Sequence, residues 1–239
     1  MPKTPINWLH ITGEVNSGRG ESIPFVGGPE RDFYTLMTHQ RTIESIQAQE
    51  IVLRYTNAKG HATKYTPECL VRFRGDIGRK PMLVEVKTRE DLKTQWAELR
   101  ARFRIATGHA RRNGWIFRIY TDAEIRTPYL TTIRGLRLHR THHFAADEQA
   151  RIAAHLIARP GLSFRNALSE LERWWPDSRA ENLSRLYNLI CGGQIEADLF
   201  KPIGYDTVLG PPGFWPERPW CRRWLRSAAV PLPKARRGW

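Results

Sequence analysis

The pattern of apolar and polar positions divides the chain into a mixed N-terminal part and an almost wholly helical C-terminal part. Residues 1–28 are rich in Gly, Ser and Pro and show no sustained period, so they are interpreted as an irregular arm. Helical spacing begins at Glu30, directly after Pro29, which suits the first turn of a helix. Strand-like and helical stretches then alternate, which predicts a mixed α/β domain over 29–143.

Within that domain the pattern predicts three strands, a long helix and a final strand. The helix is expected to begin after Thr88 and to end at Asn113, because apolar residues recur at spacings of three and four between them. The predicted strands cover 50–55, 64–74, 81–87 and 115–120.

Beyond residue 143 the pattern predicts three short helices followed by a turn between two short strands. The helices cover 147–158, 163–175 and 178–190, with Ser163 and Ser178 as caps, and the strands cover 194–200 and 205–209. This order is typical of a winged helix over 144–210, and a small helical bundle is the alternative. Residues 211–239 form a basic tail rich in Trp and Pro.

Composition favours a polyanionic partner. The 38 Lys and Arg residues outnumber the 24 Asp and Glu residues, and the formal charge is +14. We interpret this charge as a sign of nucleic-acid binding, because neutralising phosphates releases counterions. A solvated or membrane-facing basic surface is the alternative. The three cysteines are far apart and the apolar runs are short, so we expect a soluble protein of a reducing cytoplasm without a membrane span.

Two carboxylates and a lysine are expected to meet where two predicted strands pair. Glu85 and Lys87 are two residues apart, so they project from the same face of a strand, and Glu68 lies on the strand before it. Carboxylates at such a point offer the oxygen ligands that Mg²⁺ prefers, with water and a substrate phosphate completing the shell. The pattern therefore indicates metal-assisted phosphodiester hydrolysis. Lys87 has three open roles: positioning the attacking water, stabilising the phosphate, or acting as the base.

A Glu-x-Lys triplet alone is weak evidence, because exposed edge strands often alternate Glu and Lys. Here the triplet follows the apolar residues Met82, Leu83 and Val84, which indicates a buried strand in which free charges are costly.

The ordered motifs resemble a known family. The pair Pro67-Glu68 with Glu85-Val86-Lys87 resembles the PD-(D/E)xK signature of restriction-endonuclease-like nucleases. A longer ordered set is similar to TnsA, the endonuclease subunit of heteromeric transposases, over roughly residues 29–210. This set comprises Glu30-Arg31-Asp32-Phe33, Gln49, Tyr65-Thr66-Pro67-Glu68, Val84-Glu85-Val86-Lys87 and residues 119–128.

The resemblance implies a restriction-endonuclease-like mixed sheet flanked by helices, followed by a smaller winged-helix-like domain. It implies that Glu30, Glu68, Glu85 and Lys87 are catalytic. It also implies that Glu68, Glu85 and the main-chain carbonyl of Val86 hold Mg²⁺, for which Mn²⁺ is expected to substitute. The family has Asp at the position of Glu68, and the extra methylene moves the carboxylate by roughly 1.5 Å.

The implied activity is cleavage of transposon 5′ ends in the bacterial cytoplasm, at the nucleoid. The implied partners are DNA, a TnsB-like DDE transposase that cuts and joins the 3′ ends, a TnsC-like AAA+ ATPase and further target-selection proteins. Two alternatives remain: a stand-alone restriction or repair nuclease, and a decayed nuclease that only binds DNA and proteins.

Several other side chains invite functional interpretations. Arg179, Asn182 and Arg185 are assigned to the polar side of the last helix, where they either reach DNA or are solvated. His139, His142 and His143 are interpreted as a surface strand end, since no acid or Cys stands at ligand spacing. Asp122 and Glu124 are expected to begin a turn or helix, and Trp96 and Phe103 to pack in the core. The arginines of the tail are expected to bind phosphates or an acidic protein: Arg222, Arg223, Arg226, Arg236 and Arg237.

Overall fold

A computed structural model describes residues 11–16, 21–57, 60–176 and 178–215 of the 239-residue chain. It divides into an N-terminal unit that reaches Ile125 and a C-terminal unit that begins at Arg126. The sequence places this boundary after residue 143, one helix later. No helix within these described ranges combines the length and the apolar character that a bilayer crossing requires.

The N-terminal unit is a mixed α/β structure. Its described elements also include a 3₁₀ turn at Gly75–Ile77. In chain order the helices and strands are β1 (Thr12–Asn16), β2 (Ser22–Val26), α1 (Gly28–His39), β3 (Ile43–Ala48), β4 (Leu53–Thr56), β5 (Ala62–Tyr65), β6 (Cys69–Phe73), β7 (Met82–Val86), α2 (Arg89–Thr94), α3 (Trp96–Arg112), β8 (Ile116–Tyr120) and α4 (Asp122–Ile125).

A four-stranded mixed sheet is the centre of this unit. Its strand order is β3-β6-β7-β8. The first two pairings are antiparallel, whereas β7 and β8 are parallel, because α2 and α3 carry the chain back before β8 begins. Every residue of β7 is buried, as the apolar run before Glu85 predicts. The hairpins β1-β2 and β4-β5 form separate two-stranded sheets.

Helices pack against this sheet through apolar faces. The buried residues of α3 recur at helical spacing, and Ala106 and Ala110 share a core cluster with Leu70 of β6 and Leu83 of β7. Helix α1 contributes Phe33, whose ring centroid lies 5.1 Å from that of Tyr120. The predicted mixed sheet with flanking helices is thus confirmed.

Some predicted elements of this unit were wrong. The supposed irregular arm contains the β1-β2 hairpin, which the pattern missed because only Val15 of β1 is buried. Strand β3 was also missed. The predicted strand 64–74 is interrupted at Thr66-Pro67, where proline cannot donate to a ladder, and the long helix is broken at Gln95.

The C-terminal unit consists of four helices with two isolated β-bridges. Its helices are α5 (Pro128–Arg140), α6 (Ala146–Ile157), α7 (Phe164–Trp174) and α8 (Arg179–Gly192). Antiparallel bridges join Ser163 to Val208 and Glu196 to Gly210. The two predicted strands are reduced to these bridges.

Two details of the C-terminal unit differ from the sequence prediction. Ser163 accepts a hydrogen bond from the Asn166 N–H as a cap should, whereas the Ser178 side chain makes no capping bond to the backbone. Helix α5 was not predicted. It contains Thr131, Thr132 and Gly135, which have low helix propensity.

Candidate active site

Glu68 and Glu85 are brought together by the antiparallel pairing of β6 and β7. The register pairs Cys69 with Val84, and continuing it by one residue places Glu68 beside Glu85. Both carboxylates are buried, with exposed fractions of 8% for Glu68 and 3% for Glu85. The sheet therefore fixes two acids at the point where the sequence predicts them.

Lys87 follows β7 directly and lies between the two carboxylates. Its ammonium nitrogen is 3.0 Å from Glu85 Oε1 and 3.9 Å from Glu68 Oε1. About a quarter of the side chain is exposed, at 26%, so the ammonium group also has access to solvent. The Glu-x-Lys triplet is thus a buried ion-pair cluster and not an edge-strand solubility pattern.

Glu30 joins the cluster from the first turn of α1. The Val26 N–H donates a hydrogen bond of 2.9 Å to Glu30 Oε2, which holds the side chain at the start of the helix. The Glu30 carboxyl lies within hydrogen-bonding reach of Glu68 and interacts electrostatically with Glu85 and Lys87. The structure therefore gathers all four residues that the sequence singles out.

The crowding of three carboxyls with one ammonium group changes their titration. Burial, followed by the charges of Glu30 and Glu85, raises the pKa of Glu68 to about 8. Burial also raises the pKa of Glu30. Burial lowers the pKa of Lys87, but the carboxylates of Glu85 and Glu68 outweigh it, so that pKa lies above its usual value. The lysine is therefore a cation at neutral pH, which disfavours a role as base.

Two tyrosines hold the carboxylate-bearing segments. The Tyr65 hydroxyl donates a 2.5 Å hydrogen bond to Glu85 Oε2, and the Tyr34 hydroxyl donates a 3.3 Å bond to the main-chain oxygen of Glu68. Burial, followed for Tyr65 by the charge of Glu85, raises the pKa of both tyrosines, so the hydroxyls remain donors.

Gln49 also fixes the segment that carries Glu68. Its N–H donates a 2.8 Å hydrogen bond to the Glu68 carbonyl, and its φ of 52° is in the left-handed region. Neither Gln49 nor the two tyrosines was predicted as a site residue. Gln49 and Tyr65 do occur in the ordered motifs, which was the available signal.

The donor set fits a divalent cation. Glu68 Oε2 is buried and has no hydrogen-bond partner among the described residues, so this oxygen could serve as a metal ligand. When ionised, three acids against one lysine leave an excess of negative charge that a cation would offset. Across the described ranges no three Asp, Glu, His or Cys side chains are arranged to hold a metal together. A site with two carboxylates, completed by main-chain oxygen, water and phosphate, is the arrangement that suits Mg²⁺.

The three residues assigned to a DNA-facing side of α8 do not share one environment. Arg179 is exposed and pairs with Glu172. Asn182 is fully buried, at 0% exposure, and its side-chain amide donates to the Trp175 carbonyl at 2.9 Å. The predicted solvent-facing position of Asn182 was therefore wrong.

Arg185 is buried as well, with 5% of its surface exposed. Its guanidinium pairs with Glu148 and Glu181 and lies over the rings of Phe144 and Trp175, at 5.1 Å and 4.9 Å from their centroids. The helical pattern assigned Arg185 to the surface because its partner Glu148 lies on α6, remote in sequence. In this structure it stabilises the C-terminal unit and does not face solvent.

The remaining candidates behave as structural residues. The His139 ring stacks on Tyr187 with centroids 4.5 Å apart, within helix packing and not at a strand end. Asp122 begins α4, as expected, and accepts a 2.8 Å hydrogen bond from the Arg89 N–H. Phe103 is fully buried, which confirms its place in the core. The tail arginines lie outside the described residues.

Comparison with known proteins identifies one region. Residues 40–122 match the family model described as TnsA-like endonuclease N terminal. The matched stretch includes Glu68, Glu85 and Lys87, whereas Glu30 lies before it. No curated protein matches the chain.

Proposed function

We propose, from the match of residues 40–122 to the TnsA-like endonuclease N-terminal family model, that the chain is a magnesium-dependent DNA endonuclease subunit of a transposase. The observation that supports this most strongly is the convergence of Glu30, Glu68, Glu85 and Lys87 around an unpartnered buried carboxylate oxygen. The substrate is DNA, in agreement with the net charge of +14.

In this proposal Glu68, Glu85 and the main-chain carbonyl of Val86 hold Mg²⁺, and Mn²⁺ substitutes for it. When bound, the ion neutralises charge on the scissile phosphate and makes a bound water more acidic. Glu85 is kept in position by the Tyr65 hydroxyl, which already occupies one of its oxygens. Glu68 contributes the oxygen that lacks a donor.

Lys87 stabilises the phosphate in this scheme. Its ammonium is charged and partly exposed, so it can donate to a phosphate oxygen while it stays beside Glu85. Glu30, held by the Val26 N–H, accepts a hydrogen bond from the attacking water and orients it.

The finer assignment follows the family resemblance. The chain cuts the 5′ ends of a transposon while a TnsB-like DDE transposase processes the 3′ ends, and a TnsC-like AAA+ ATPase regulates both. The C-terminal unit contributes contacts to DNA and to the regulator. A stand-alone nuclease would instead cut without these partners.

A plasmid-cleavage assay with the partner proteins tests the proposal. Glu85→Ala and Lys87→Ala are expected to lower 5′-end cleavage by more than about 100-fold, beyond the loss typical of residues outside a metal's own ligands. Glu90→Ala and Lys93→Ala are matched controls, since both residues are exposed on the neighbouring α2, and they should cut normally. Undiminished cleavage by the two site variants would remove the mechanism.

Glu68→Asp separates an active enzyme from a decayed one. Efficient cleavage by the natural chain excludes decay. If the natural chain is silent and Glu68→Asp restores cutting, the chain is a binding subunit whose nuclease has been lost.

A further inference from the structure

Helix α3 carries arginines outside its buried face. The spacings from Arg100 to Arg104 and from Arg104 to Arg111 are four and seven residues, so these side chains lie in one row along the helix. Arg112 adjoins the row, because its guanidinium lies over Gly108, where an added Cβ would be 3.5 Å from Nη1. We call these four residues the α3 arginine face.

The α3 arginine face has no acidic partner among the described residues. Residues 99–112 contain no Asp or Glu, and Arg104, Arg111 and Arg112 are exposed. By contrast, Arg102 on another side of the same helix pairs with Glu98. Like charges four residues apart on a helix, such as Arg100 and Arg104, repel each other, so an unpaired row of cations is disfavoured in the isolated chain. A polyanion is the partner that would offset this cost.

The α3 arginine face is on the same side of the sheet as the candidate active site. Leu83 packs against α3, and because side chains alternate along β7, Glu85 projects to the same side two residues later. Helix α3 runs back along the sheet before β8 starts beside Met82, so its first turns lie nearer the site than its last. From Arg100 to Arg111 the row is roughly 16 Å long at about 1.5 Å per residue.

We propose that the α3 arginine face binds the sugar–phosphate backbone of duplex DNA beside the bond that is cut. This inference rests on the proposed function, which makes DNA the substrate. A duplex that delivers its phosphate to Lys87 and continues along this side of the sheet presents a row of phosphates to the arginines. Such contacts position the duplex without reading its sequence.

The salt dependence of DNA binding tests the inference. The full chain is titrated with a fluorescent 30-base-pair duplex at several KCl concentrations, with Ca²⁺ in place of Mg²⁺ so that the carboxylates are neutralised while no DNA is cut. Each lost phosphate contact reduces the magnitude of the negative slope of log K against log salt by about 0.9. The double variant R104S/R111S is therefore expected to have a slope that is shallower by about two, and R104K/R111K should keep the natural slope.

A charge-matched control removes two arginines elsewhere in the same unit. R41S/R74S loses the same charge next to the start of β3 and the end of β6, at the end of the sheet away from the site. Its slope should equal that of the natural chain. An unchanged slope in R104S/R111S, or an equal loss in R41S/R74S, overturns the inference. If the natural chain does not bind the duplex at all, the proposed function fails first.

Discussion

Glu68 replaces the aspartate of the resembled family and still reaches the other site residues. Its carboxylate lies 3.9 Å from the Lys87 ammonium, and its main-chain oxygen is held by Tyr34 and Gln49. Because those bonds fix the backbone, the longer side chain extends into the cluster without displacing the strand. The substitution therefore retains an oxygen donor at the site.

The raised pKa of Glu68 links metal binding to pH. Its pKa in the folded chain is about 8 against an ordinary 4.5. The folded chain is stabilised by its tighter hold on the Glu68 proton. This contribution is complete below about pH 4.5 and is lost as pH rises through about 8, so the metal-free chain becomes less stable over that range. Mg²⁺ binds the ionised carboxylate, so we expect it to raise the Tm more at about pH 8.5 than at about pH 6.

Thermal unfolding with and without Mg²⁺ at the two pH values measures this effect. In Glu68→Gln the gain should no longer depend on pH, since that side chain does not ionise. An equal Mg²⁺ effect at both pH values in the natural chain would contradict the linkage.

Tyr65 is a positioning residue whose effect can be measured separately from folding. Tyr65→Phe removes the hydrogen bond to Glu85 but keeps the buried ring, so we expect cleavage to fall about 10- to 100-fold, as for other residues that orient metal ligands. Higher Mg²⁺ should restore part of the activity. Tyr55→Phe is the control. It also removes a tyrosine hydroxyl from the core cluster that contains Tyr65, and it should cut normally.

At the scale of elements, α8 depends on a buried cation. Arg185 pairs with Glu148 and lies over two aromatic rings, so Arg185→Ala leaves a carboxylate without its partner. Removing one member of a buried pair costs about 3–5 kcal/mol, and we expect a clear loss of stability in the C-terminal unit.

Urea unfolding, followed by tryptophan fluorescence, measures that loss. Arg179→Ala is the comparison on the same helix, because its ion pair with Glu172 is more exposed and should contribute much less to stability. Equal stability of the two variants would show that the Arg185 network does not support the fold.

The elements that could be predicted are those with strong apolar periods. Strand β7 is buried on both faces, and helices α3 and α7 each bury one face. The apolar pattern of the sequence predicted all three elements. Elements with few buried residues were missed. Strand β1 buries only Val15, and α5 contains residues of low helix propensity, so tertiary packing outweighs the local signal there.

At the scale of the whole molecule, a strongly basic chain contains a locally acidic site. The formal charge of +14 favours approach of DNA, while Glu30, Glu68 and Glu85 form a cluster whose ionised carboxylates would repel phosphate without a cation. A divalent ion resolves this opposition. The charge distribution thus agrees with a nuclease whose substrate and metal bind together.

The charged residues of the candidate site could be predicted from the sequence, but the residues that hold them in place could not. Glu68, Glu85 and Lys87 were predictable because strand alternation and the ordered motifs place them together. The roles of Tyr34 and Gln49 depend on how α1 and the end of β3 pack against the segment before β6. Such packing joins residues far apart in the chain, and no local pattern encodes it.

The most direct test of the central claim is a crystal structure of the chain soaked in Mn²⁺, with the ion located by its anomalous scattering. We expect a peak within coordination distance of carboxylate oxygens from both Glu68 and Glu85, with Lys87 beside it. A chain in which Mn²⁺ binds elsewhere, or in which the Glu68–Glu85 pair stays free of metal at millimolar Mn²⁺, would contradict the account.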